Sequence, residues 1–291
     1  MGFIDDAMTK IGETLVNVGE TALDAGLSVW KQCSRVVLQY TTQDPTSMSA
    51  IWSNISGIYN MFLGVGASLM VFYFVVGWLN ESIDIKRNFT TDALFRFFIR
   101  LSITAAALTN GMTFIMGCMR VSAVMAGQVG MIITDSYSAD GIFDSLTEGL
   151  ESGELMKIGI LCMIAGLLGC AIIIVCGVSI ILSVLSRFFK IFMCIPFGPP
   201  AIASFAGGRE LSQSAAAWLK TFLAYCLEVV VIAMALMLAF SFFAGRAQFL
   251  PESSKGFGAV LIKLVNVFLP MVTAVSCVKG AEGILRRTLG L

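Results

Sequence analysis

The chain has no histidine, which removes the commonest metal ligand and the commonest general base together. It has little charge: 13% of its residues are Asp, Glu, Lys or Arg, roughly half the share in a soluble domain. Hydrophobic residues make up 57% and the mean hydropathy is +0.86. A soluble globule of that composition would leave too much apolar surface in water, so the composition reads as an integral membrane protein. The 19 Lys and Arg balance the 19 Asp and Glu, which leaves no basic footprint for nucleic acid. Catalytic patterns are missing as well. There is no P-loop, no GxGxxG after a strand and no Ser/His/Asp set, and an enzyme or cofactor site has nothing to be built from.

Other absences are matters of spacing. The eight cysteines (Cys33, Cys118, Cys162, Cys170, Cys176, Cys194, Cys226, Cys277) include no CxxC pair, and most sit in apolar runs. They read as small buried hydrophobes, not as a zinc site or a disulfide framework. The start, Met1 to Asp6, has acids where a cleavable signal peptide is basic. Asp6 also stands where myristoylation requires Ser or Thr. Insertion is therefore expected to use internal segments.

What is present is a set of long apolar runs. Five are expected to cross a bilayer, at about 58–79, 97–119, 158–185, 217–243 and 258–278, since a span needs roughly 20 apolar residues. The expected fold is an all-α polytopic membrane protein, with residues 51–291 as the transmembrane domain. Residues 1–50 form a separate extracytoplasmic amphipathic helix and linker. In that helix Ile4, Met8, Ile11, Leu15, Val18, Ala22, Ala25 and Val29 follow steps of four and three, with the acids off the stripe. The pattern fits a helix packed on its own bundle or the bilayer, and equally one that docks on sister subunits or a partner. Residues 120–157 carry six acids against Arg120 and Lys157 and read as an acidic external loop. Its first part, Val121 to Thr134, is too short to cross and reads as a re-entrant or interfacial helix.

Residues 186–216 interrupt the runs. Three of the six prolines, Pro196, Pro199 and Pro200, fall there, followed by Gly207 and Gly208. The stretch is expected to form an interfacial or re-entrant element in which these residues turn the chain, because proline breaks a spanning helix. Lys and Arg counts in the connections place this stretch and the C-terminus in the cytoplasm and the N-terminus outside. That orientation holds only if 191–205 does not itself cross. Arg187, Lys190, Arg209 and Lys220 become candidate partner contacts, as do Ile4, Ile11, Leu15 and Val18 of the first helix. Arg187 and Lys190 also suit simple anchoring at the membrane edge. Glu228 and Lys263 are charges inside spans. Glu228 is either a proton- or substrate-handling group or one half of a structural pair with a cation such as Lys263; one carboxylate without a second acid favours the pair.

The segment IPFGPPAIASFAGG, after a basic aromatic turn and before AAAWLKTFLAYCLEVVVIAMALML, resembles the polytopic inner-membrane subunit of bacterial type IV secretion and conjugation systems, the TrbL/VirB-six family. The layout of spans and loops resembles it too. The resemblance implies a non-enzymatic channel or scaffold subunit, present in several copies at the base of a stalk or pilus. The implied partners are a stalk or minor pilin subunit, a bitopic scaffold subunit, secretion ATPases and a translocated protein or protein–DNA substrate. The alternative is a small-molecule transporter or ion channel, which predicts inverted repeats with matching broken helices; no such halves are visible.

Overall fold

The computed structural model describes residues 2–43, 45–83, 91–130, 143, 152–208, 211–244, 250 and 257–290. Among them all regular structure is helical. We label the helices α1 (Gly2–Thr42), α2 (Ser49–Ile83), α3 (Thr91–Gly130), α4 (Ser152–Cys194), α5 (Gly198–Ala203), α6 (Gln213–Ala244) and α7 (Phe257–Thr288). Five stretches are long and apolar enough to cross a membrane: Ser49–Asn80, Phe95–Val129, Gly153–Gly207, Gln213–Phe242 and Gly258–Thr288. Among the described residues they cover the five expected runs to within one residue, at position 243, and extend most of them. The chain is thus an all-helical, multi-pass membrane protein.

Two expectations about the connections change. The apolar stretch from Val121 is the end of α3, which continues unbroken to Gly130, and is no separate re-entrant helix as far as that residue. Ala105, Ala106, Ala107 and Ala123 are good helix formers, and no proline interrupts the run. α4 has 43 residues, about 65 Å at 1.5 Å per residue. That is about twice the ~30 Å hydrocarbon core of a bilayer, so part of α4 lies outside hydrocarbon. Of the acidic interval, only Phe143 falls among the described residues after Gly130 and before Ser152. It is fully buried, and its N–H donates to Glu20 Oε1 at 3.1 Å.

The fold divides into two units. The first comprises Met1–Thr41, Gly127–Val184 and Val231–Gly280. Its core is a seam between α1 and α4. An added Cβ on Gly12 would stand 2.9 Å from Leu155 Cγ; on Gly19, 2.5 Å from the Cys162 carbonyl oxygen; on Gly26, 3.0 Å from Cys170 Cα. On the facing helix, Gly159 approaches the Gly12 carbonyl and Gly177 approaches Cys33. The order of contacts rises along both helices, so α1 and α4 run parallel. Repeats of seven on α1 keep one edge on its neighbour, and lack of a Cβ lets the backbones touch. Val16, Leu23, Leu27, Trp30 and Val37 fill the seam between and beyond the glycines.

The buried stripe is therefore Gly12, Val16, Gly19, Leu23, Gly26, Leu27 and Trp30, and not the stripe read from apolar spacing. Ile11 is 51% exposed and Val18 43%. Leu15 and Ala22 lie at intermediate exposure on the flank.

The second unit comprises Thr42–Ala126, Leu185–Val230 and Ala281–Leu291. α2 and α3 form an antiparallel pair: Phe74 and Trp78 pack on Phe97, and the Tyr59 hydroxyl lies against Gly111. The segment after α4 packs on α2. Phe62 meets Phe197 edge-on at 5.5 Å, Gly66 meets Pro199, and Gly77 meets Gly207.

Gly19→Ala is expected to lower the thermal midpoint of the detergent-solubilised protein by several degrees, since forced overpacking costs about 1–3 kcal/mol. Gly57→Ala, where an added Cβ meets nothing within 4 Å, is expected to hold or raise the midpoint, because alanine gains ~0.5–1 kcal/mol over glycine in a helix. Equal losses in both variants would rule out the seam as the cause.

Candidate functional site: an interhelical charge cluster

The Pro-rich segment stays helical but changes gauge. A 3-10 turn, Ile195–Phe197, follows α4; then come α5 and a second 3-10 turn, Ser204–Gly207. Pro196 and Pro199 sit in the first turns of their elements, where a missing N–H costs no hydrogen bond. Pro200 follows within α5. The sharp turn falls later, at Gly208, whose φ of 98° suits glycine alone. Ala215 N–H donates to Ser204 Oγ at 3.1 Å, and Trp218 Nε1 donates to the Cys194 carbonyl at 3.0 Å. Trp218 also covers Gly198. These bonds satisfy the polar groups of an irregular stretch within the protein, as an apolar setting requires.

Ile195–Gly207 lies along the apolar run of α2, from Phe62 to Gly77. Arg187 and Lys190 stand at one end of it. Gly208, next to Arg100, stands at the other.

At the first end three helices bring charges together. α4 supplies Arg187 and Lys190, one turn apart. α6 supplies Tyr225 and Glu228, and α7 supplies Glu282 and Arg286. Glu282 accepts from Lys190 Nζ in a short salt bridge and from Arg286 Nε at 2.9 Å. Arg286 Nη2 donates to the Tyr225 hydroxyl at 2.8 Å. The Tyr225 ring lies between Lys190 Nζ, 5.9 Å from its centroid, and the Arg286 guanidinium, at 5.7 Å. Two cations beside one ring are tolerable here because Glu282 bonds to both.

Arg187 is 3% exposed. Its Nε donates to the Tyr225 carbonyl at 2.9 Å and its Nη2 to the Cys226 carbonyl at 3.4 Å. It bolts α4 to the backbone of α6. Glu228 is 5% exposed, and its Oε2 has no hydrogen-bond partner. The cations within electrostatic reach of it are Lys190, Arg187 and Arg286. Buried charges need such company, and here it comes from two neighbouring helices. Lys263, in the first unit, lies with Glu20 within reach of Cys162.

Other candidates fall elsewhere. Lys220 is exposed on the first turns of α6. Arg209 and the side chain of Ile4 lie outside the described residues. Between α3 and α6 a cavity of about 310 Å³ is lined by Phe114, Cys118, Val121, Leu223, Cys226 and Leu227, among others. Its polar lining is two thiols, Cys118 and Cys226, and the Ser122 hydroxyl, which donates to the Met119 carbonyl. Among the described residues no three His, Cys, Asp or Glu side chains gather as a metal would need. The site offers ion pairs and cation–π contacts that join three helices. Nothing in it activates a nucleophile or relays a proton along a chain of groups. Tyr225, Glu282 and Arg286 were missed from sequence. The one available signal was Glu282–Arg286 at i, i+4 near the end of an apolar helix.

Fold and site together define a multi-pass helical membrane protein in which a cluster of charged side chains joins three helices. Residues 80–199 match the family model described as TrbL/VirB6 plasmid conjugal transfer like protein. Over that stretch, less than half of its length, the chain is similar to this family. The matched stretch takes in α3, α4 and the entry to the Pro-rich segment. No curated protein matches the chain.

Arg187→Met is expected to destabilise the protein strongly, since removing one side of a buried charge arrangement costs about 3–5 kcal/mol. Arg187→Met combined with Glu228→Gln should recover part of the loss, because the stranded carboxylate is then neutral. A double variant no more stable than the single one, by thermal unfolding in detergent, would uncouple Glu228 from Arg187.

Proposed function

We propose that the chain is a non-enzymatic channel or scaffold subunit of a type IV secretion, or conjugative transfer, system in the bacterial inner membrane. The observation that carries this reading is the family match across 80–199. The absence of histidine is in keeping with it. In this reading several copies assemble at the base of a stalk or pilus and support passage of protein or protein–DNA substrate. Stalk, scaffold and ATPase subunits surround them.

The geometry supports assembly with other subunits through a length argument. Gly153–Gly207 is an apolar helical run of 55 residues, far more than the roughly 20 that one bilayer accommodates. Its outward apolar side chains continue past the midpoint: Phe189 and Met193 are each 67% exposed and Phe197 58%. What hydrocarbon does not cover, other subunits must cover. Lys220, Ile11 and Val18 remain surface candidates for such contacts. The turn at Gly208, beside Arg100 and close in sequence to Arg209, is assigned to the cytoplasmic side, and the acidic interval to the outside.

The test is a donor cell lacking this chain and otherwise complete. Transfer of the mobile element is expected to fall to background and to return when the chain is supplied in trans. Unchanged transfer would overturn the reading. In the complemented cells, Asp140→Cys should be labelled by an impermeant thiol reagent from outside, and Arg209→Cys only after the membrane is opened. Labelling of both from one side would overturn the topology.

A further inference from the structure

The cavity of the second unit has two walls of membrane length. Gly117, Cys118 and Val121 line it from α3, and Leu223, Cys226 and Leu227 from α6. Both helices lie in stretches long and apolar enough to cross a membrane, Phe95–Val129 and Gln213–Phe242. The first stretch contains no carboxylate, and the one carboxylate of the second, Glu228, is buried. Phe114 is 49% exposed and Val121 60%, so the cavity opens on the outer surface of this unit. In a helix pair of that composition the medium at the opening is hydrocarbon.

Size and polarity decide what fills the space. Water needs two to four polar partners. The polar groups here are two thiols, which bond weakly, and the Ser122 hydroxyl, whose proton goes to the Met119 carbonyl at 2.8 Å. A helix needs more width. The α3 wall runs from Phe114 to Ser122, about 12 Å at 1.5 Å per residue, so a volume of about 310 Å³ has a mean cross-section of about 26 Å². A helix about 10 Å across has a section of roughly 80 Å². A single hydrocarbon chain matches both the width and the polarity. Gly117 keeps the space open, since a Cβ there would meet nothing within 4 Å. Toward the Ser122 end Arg120 is exposed on α3. A guanidinium is well suited to a phosphate.

We propose that this cavity is a binding site for one phospholipid, with an acyl chain between α3 and α6 and the phosphate at Arg120. The lipid then joins two helices that the charge cluster does not join, by filling a gap whose lining would otherwise lack contacts. The site depends only on the multi-pass membrane fold, so its absence would leave the transfer reading untouched.

The test uses the full-length chain, purified in a mild detergent from membranes of phosphatidylethanolamine and phosphatidylglycerol, with retained lipid identified by native mass spectrometry. The unaltered protein is expected to keep one phospholipid per chain. Gly117→Leu fills the cavity from α3 and Leu223→Trp from α6. Each is expected to lower the retained fraction about tenfold, because lost contact with two methylenes is enough for that. Gly64→Leu on α2, where an added Cβ also meets nothing within 4 Å, is expected to keep the lipid. A cooperative thermal transition in both filling variants shows that the loss is not a folding fault. If the unaltered protein carries no adduct, or one with the mass of a free fatty acid or a detergent, the proposal is overturned. Equal retention in the filling variants and Gly64→Leu overturns it too. Arg120→Gln is expected to weaken retention, and unchanged retention there overturns the placement of the phosphate.

Discussion

Where hydrocarbon replaces water, a helix cannot be held by the hydrophobic effect alone, because lipid is as apolar as leucine. Close backbone approach must do part of the work. The seam of Gly12, Gly19 and Gly26 against α4 is where this chain does so. Everything else about α1 depends on that seam. It fixes which face is buried, aligns α1 in parallel with α4, and turns the remaining polar stripe outward. It also brings Glu20 to the N–H of Phe143. A single methyl group at Gly19 would meet a carbonyl oxygen at 2.5 Å, so the register has little room to slip.

The second unit solves a related problem by different means. Its irregular segment, Ile195–Gly207, carries three prolines and two 3-10 turns, a combination that leaves backbone groups without their usual partners. The partners come from side chains chosen for the purpose: Ser204 for the start of α6 and Trp218 for the end of α4. Glycines at 66, 77 and 198 let neighbouring groups press close. The charges follow the same logic. Arg187 spends its hydrogen bonds on α6 carbonyls, Glu282 bridges Lys190 and Arg286, and Tyr225 lies between them. Glu228 keeps one oxygen without a hydrogen bond, offset by cations nearby.

How much of this was legible follows from what each signal measures. Long uncharged runs announce helices of membrane length, and all five were readable. The rotation of α1 was not read, because hydrophobic periodicity gives weight to Ile11 and Val18 and none to glycine. The heptad of glycines was in plain sight at spacing seven, and a search for small-residue repeats would have found it. The prolines suggested a break. They sit instead at element starts, where proline is tolerated, and the turn waits for Gly208. The charge cluster was half visible: Arg187, Lys190 and Glu228 stood out individually. Their meeting with Glu282 and Arg286 joins residues about ninety positions apart, and no local pattern encodes that.

A polar residue in a membrane protein is usually taken as a functional marker. Here the two populations of polar residues separate by what they do with their hydrogen bonds. Those of the cluster bond inward, to carbonyls, carboxylates and a phenol, and hold α4, α6 and α7 together. They are costly to place. The stripe on α1, with Thr14, Asn17, Thr21, Ser28 and Gln32, is the reverse. Its hydroxyls are satisfied locally and its amides are open.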